Sequence, residues 1–163
     1  KLFEGIEFPY GKFSEDLFTI YKTILKSRSI TYIGFDGYFY YYRDEGSIVV
    51  SGYKKKHLEA LDAVDDIEES VKGKGRFDNA LSTQYINVIY DIAARNPLLS
   101  EFRNKRIQNN LKAHRMSVLK DSNAPKRLRG FAAISLLGNR IVLKVVVARN
   151  RRWKVQRRET KKR

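Results

Sequence analysis

The stretch that decides the fold is LRGFAAISLLGNRIVLKVVVA, residues 128–148. Two apolar runs, Leu128 to Leu137 and Arg140 to Ala148, flank Gly138-Asn139. A glycine-led pair between such runs suits a two-residue type II′ turn. The stretch is therefore predicted to be a β-hairpin, which makes the chain α+β.

Beyond it, residues 149–163 read RNRRWKVQRRETKKR, nine Lys and Arg with a single Glu. They are expected to form a basic tail behind one domain, 1–148. The 163-residue chain carries a net charge of +15, unevenly spread. Residues 1–70 hold 9 Lys and Arg against 13 Asp and Glu, whereas residues 71–163 hold 24 against 5. Gly73-Lys-Gly75 marks the border between an acidic part, 1–72, and a basic part, 76–148.

Upstream of the hairpin, helical periodicity is plain. In a predicted helix over 98–120, Ile107, Leu111, His114 and Val118 share one face. Lys105, Lys112 and Lys120 lie roughly opposite, flanked by Arg106 and Arg115. A helix over 80–95 ends before Pro97, because the residue ahead of proline resists helix. A helix over 55–72 carries the stripe Leu58, Leu61, Val64, Ile67 and Val71, with six carboxylates between Glu59 and Glu69. A helix over 15–27 follows Ser14, read as its N-cap. Short strands are expected at Leu2–Phe8, Ile30–Phe35, Tyr38–Arg43 and Ser47–Tyr53, the last three an antiparallel meander turned by Asp36-Gly37 and Asp44-Glu45-Gly46. The expected architecture is an α+β fold of meander, C-terminal hairpin and three to four helices, plus the tail.

The charge excess points to a polyanion as partner, since solubility alone needs far less. The expected function is non-enzymatic binding to the phosphate backbone of RNA or DNA, in a ribonucleoprotein particle or as a phage-type transcription-modulating protein. The expected contacts are Arg149, Arg151, Arg152, Lys154, Arg157 and Arg158, with Trp153 to stack or wedge. Lys105, Arg106, Lys112 and Arg115, then Lys126, Arg127 and Arg129, extend the set. The row Tyr38, Tyr40 and Tyr42 offers a stacking face or, since it lies in the acidic half, a core or protein contact. The acidic helix at 59–69 is a solvated face, or a dock for a basic patch on another protein.

Two other readings stand beside this one. A metal-free ribonuclease of a small toxin-like type would use His114, Arg115 and Thr160 as base and cationic clamp. A virion structural protein would touch a packaged genome with the same basic half. His57, after Lys54-Lys-Lys56, reads as a surface residue, and His114 as a packed one. The chain has no cysteine and no zinc-ligand spacing, and neither a cofactor nor a metal is expected. No apolar run is long enough to span a membrane and Lys1-Leu-Phe-Glu4 is unlike a signal peptide, so an intracellular location is expected.

Residues 129–136, RGFAAISL, resemble the first ribonucleoprotein motif of RNA-recognition-motif domains at six of eight positions. Ala133 and Leu136 stand where that family carries aromatics, one of them a base-stacking residue. Two strands joined by a tight turn also depart from that family's order, so the match assigns no family.

Overall fold

The computed structural model describes the backbone of residues 1–35, 37, 38 and 52–160, and the side chains of these as far as Arg149. The described residues form helices and no strand: α1 (Glu15–Lys26), α2 (Glu59–Val71), α3 (Asp78–Ala94), α4 (Leu99–Phe102), α5 (Lys105–Lys120), α6 (Lys126–Ile134) and α7 (Asn139–Thr160). Short 3₁₀ turns precede α2 and α3 and follow α6.

This overturns the α+β expectation at its deciding stretch. Residues 126–134 are helix, and Ser135–Leu137 is a 3₁₀ turn. Gly138, at φ 100° and ψ 159°, is in a region that only glycine enters readily. It reverses the chain between two helices instead of two strands. The ribonucleoprotein-like RGFAAISL accordingly lies on α6 and its 3₁₀ extension, and not on a strand. Leu2–Phe8 is built of turns and irregular backbone, and Ile30–Phe35 has no strand partner among the described residues. Of the two remaining meander strands, Tyr38–Arg43 and Ser47–Tyr53, only Tyr38, Gly52 and Tyr53 are among the described residues, and these are not strand; the rest, with Tyr40 and Tyr42, lies outside the described residues. The first twelve residues of the expected tail, 149–160, continue α7.

The helices expected from periodicity are present. Ser14 precedes α1 as expected, but at φ 61° its side chain makes no capping bond. Helix 98–120 divides at Asn104, whose side chain accepts the Arg106 amide proton at 2.9 Å and starts α5. Asn96, at φ 57°, closes α3 ahead of Pro97.

The core is centred on α3. Tyr85, Ile86, Val88, Ile89, Ile92 and Ala93 are all buried, an arc too wide for a surface helix. Against it pack Ile107, Leu111 and Val118 of α5, Leu128, Phe131 and Ala132 of α6, Val142 and Val146 of α7, and Leu61 and Val64 of α2. Phe102 of α4 is fully enclosed in the same cluster. α2 joins α1 to this bundle, lying against both α1 and α3.

Truncating the centre of α3 tests this arrangement. Ile89→Ala is expected to cost about 2–5 kcal/mol, as measured by chemical unfolding. Circular dichroism of the intact chain is expected to show the double minimum of a helical protein; a sheet-dominated spectrum contradicts the fold.

Candidate nucleic-acid interface

The electrostatics of the bundle begin at α2. Arg106 of α5 places one guanidinium nitrogen on Asp62 and the other on Asp65, the latter at 2.5 Å. Burial works against the Arg106 charge, but the two carboxylates outweigh it and raise its pKa above the usual range. Lys12 lies 3.9 Å from Asp62 and Lys22 lies 3.1 Å from Asp66. The Tyr21 hydroxyl also donates to Asp66 at 2.7 Å. Burial disfavours the Asp66 carboxylate, yet the bonds from Tyr21 and Lys22 prevail and hold it below its ordinary range. Glu59 accepts the Phe13 amide proton at 2.8 Å. The acidic helix is thus stitched to α1 and α5 from within the chain.

Beneath that seam lies a polar cluster that periodicity did not reveal. The Tyr85 hydroxyl is 2.7 Å from both Asp65 Oδ1 and Glu68 Oε2. Its single proton serves two acceptors. Burial, then the two carboxylates, raise its pKa far above that of a free phenol. The His114 ring stacks on Tyr85 with centroids 4.3 Å apart, and its Nδ1 lies 3.1 Å from Ser82 Oγ. Burial lowers the His114 pKa, opposed by Glu68. The set Ser82, His114 and Glu68 has the residue types of a hydrolase, but Ser82 is buried within a helix whose amides are already bonded.

The residues of the ribonuclease reading diverge. His114 turns toward α3, while Arg115 reaches the Ser135 carbonyl, 3.5 Å away beyond α6. Thr160 ends α7, and its side chain is outside the described residues. His57 is buried, contrary to its expected surface position, edge-on to Phe13 at 5.2 Å. Its Nδ1 accepts the Lys54 amide proton at 2.9 Å, and Nε2 has no partner among the described residues. Burial and then the Arg95 charge lower its pKa.

Of the expected phosphate contacts, Arg106 is committed to α2. Lys105 and Lys112 are exposed on α5, Lys126 and Arg127 on the first turn of α6, and Arg149 on α7. Arg127 is held in place: it donates to Asn87 Oδ1 at 2.9 Å and lies over the Tyr90 ring, 5.5 Å from its centroid. Arg115 and Arg129 are half-buried, each with an enclosed Nε that has no partner among the described residues. Arg151, Arg152, Trp153, Lys154, Arg157 and Arg158 lie on the backbone of α7, their side chains outside the described set. Between 105 and 149 eleven Lys and Arg accompany one acid, Asp121. Arg106 alone among the eleven forms an ion pair within the described residues.

Neither α5 nor α6 has an acid in its first turn; each begins Lys-Arg. Cations there oppose the helix dipole, a cost that at α5 is offset by the Arg106 pairs with Asp62 and Asp65. No group of three or more His, Asp or Glu is placed to hold a metal ion among the described residues. None of the described helices is long and apolar enough to cross a membrane. No family model matches the chain, and no curated protein or solved structure is significantly similar to it.

The two histidines give a pH signature. Both have folded pKa values below the unfolded value of about 6.5, so below that pH the unfolded chain binds more protons. Their contribution is full above about pH 6.5 and is lost as pH falls toward the folded pKa values. The melting temperature is expected to drop between pH 7.5 and pH 5, and less so in a H57Q/H114N variant. An equal drop in both proteins contradicts the assignment.

Proposed function

We propose that this protein binds the sugar–phosphate backbone of nucleic acid, without acting on it as an enzyme, through the cationic sides of α5, α6 and α7. The observation that carries this reading is the one-sided use of ion pairs. The carboxylates of α2 take Arg106, Lys12 and Lys22, whereas the exposed cations Lys105, Lys112, Lys126, Arg127 and Arg149 form no ion pair among the described residues, Arg127 alone of these lying in the field of the Asp91 carboxylate. Charges so concentrated raise the energy of the free protein, and a polyanion relieves them by releasing its own counterions.

Arg106 belongs to the fold in this reading, and the remaining cations belong to the phosphates. Contacts of this kind set affinity and register and carry no base code, which suits the absence of a recognition motif in the sequence. Helix α7 extends the surface: its residues 149–160 add Arg149, Arg151, Arg152, Lys154, Arg157 and Arg158 on one continuous helical backbone. The cleavage reading has less support, because His114 and Arg115 are directed at different elements.

Binding to labelled RNA and DNA duplexes and single strands is the test. With about 6–10 phosphates contacted, affinity is expected to fall roughly 10³–10⁵-fold between 50 and 200 mM salt. Removing residues 149–163 is expected to weaken binding by orders of magnitude and leave the fold, since Val142 and Val146 keep α7 in the core. Arg106→Gln is expected to lower stability by about 1 kcal/mol, its partners being partly exposed, with little change in affinity. No binding at low salt, or RNA cleavage that persists in EDTA and is lost in His114→Ala, overturns the proposal.

A further inference from the structure

The turn between α6 and α7 carries two large apolar side chains into solvent. Leu136 and Leu137 are 50% and 66% exposed, side by side on the 3₁₀ turn that ends at Gly138. The turn is not loose. The buried Ser135 hydroxyl donates to the Ala132 carbonyl at 2.6 Å, which ties it to α6. The Ile141 and Val142 amides donate to the Gly138 carbonyl at 3.2 and 3.1 Å, which ties it to α7. The Asn139 amide group donates to Gln108 Oε1 of α5 at 3.0 Å, and Arg115 reaches the Ser135 carbonyl. Two exposed leucines thus stand on a tip braced by three helices.

Cations surround the base of this tip. Gln108, Lys112 and Arg115 follow one another at i, i+4 and i+7 on one face of α5. Because Gln108 and Arg115 both reach the turn, the exposed Lys112 between them stands beside it. Arg140 and Lys144, one turn apart at the start of α7, are exposed as well. None of the three forms an ion pair among the described residues. Asp121 lies at the opposite end of α5. Helix α4, which packs on α7, brings Glu101, and this too forms no ion pair among the described residues.

We infer that Leu136 and Leu137 form a wedge that enters the minor groove of duplex DNA, parts a base step and bends the duplex. Lys112, Arg140 and Lys144 hold the phosphates beside the opened step. Inserted apolar side chains unstack bases at a cost, which the bent duplex offsets by meeting more cations of the protein. A tip already braced adds no ordering cost of its own. Two leucines match the apolar area that a base step accepts, and fall far short of the helix-long apolar face that holds a protein on a bilayer. The wedge rests on the backbone contacts proposed above and adds to them a preference for deformable steps, read without contact to base edges.

The test uses the full chain and a duplex of roughly 20–30 base pairs with a fluorophore at each end, so that energy transfer reports bending. The wild type is expected to bend it by roughly 20–90°. It is also expected to bind a duplex with a central mismatch, already easier to unstack, about tenfold more tightly than the perfect one. The Leu136→Ala/Leu137→Ala variant is expected to keep the salt dependence of binding and to lose both the bend and the mismatch preference. Both leucines are exposed, and circular dichroism checks that the variant stays helical; Leu137→Ala alone serves as the milder replacement. Binding without bending, or a variant that bends and discriminates as the wild type does, overturns the wedge and leaves the backbone reading standing. No binding to any nucleic acid at low salt overturns both. Leucine-dependent binding to phosphatidylserine vesicles, with the duplex left straight, assigns the tip to a bilayer and also overturns the wedge.

Discussion

Arg106 of α5 grips Asp62 and Asp65 of α2, and the electrical layout of the molecule follows from how few other cations do likewise. Its partners are partly exposed, so the fork adds little to stability, on the order of 1 kcal/mol or less. Its consequence is placement. With Lys12 and Lys22 it occupies the carboxylates of α2, and Tyr85 and Tyr21 engage the same row by hydrogen bonds. The acidic helix α2 is drawn into the fold, and the stretch from 105 to 149 that carries α5, α6 and the start of α7 holds Asp121 as its one acid.

Packing turns that imbalance into a surface. Helix α3 holds α5, α6 and α7 in one core, so the cations stand on rigid helices at fixed spacing. Arg127 shows how closely one can be set, braced on Asn87 and the face of Tyr90. Preorganised cations lose less side-chain entropy on meeting phosphate than free lysines on a loop.

Much of the helical part was legible because polar residues exposed the period. Ile107, Leu111 and Val118 stand out against the lysines and asparagines of α5, and Leu61 and Val64 against the acids of α2. The run Ile141 to Val147 hides its period, since only Lys144 interrupts it and both faces are apolar. Its β-branched residues lower helix propensity by at most about 0.7 kcal/mol each. Burying Val142 and Val146 in the core contributes about 1.5–3 kcal/mol apiece, and tertiary packing prevails. The charge asymmetry needed no structure, but the commitment of Arg106 did: nothing local distinguishes it from Lys105. Likewise three lysines beside His57 suggested solvent, where the Lys54 amide draws the ring inward.

The central claim is that the cations of α5 and α6 other than Arg106, which form no ion pair among the described residues, pair with phosphates in the complex. It is tested most directly by the slope of log affinity against log salt for duplex DNA and RNA, comparing the wild type with a K112Q/K126Q/R127Q variant. Each lost phosphate contact on B-form DNA is expected to reduce the slope by about 0.9, so the triple variant should be shallower by roughly 2–3. An unchanged slope, or an affinity indifferent to salt in both proteins, contradicts the account.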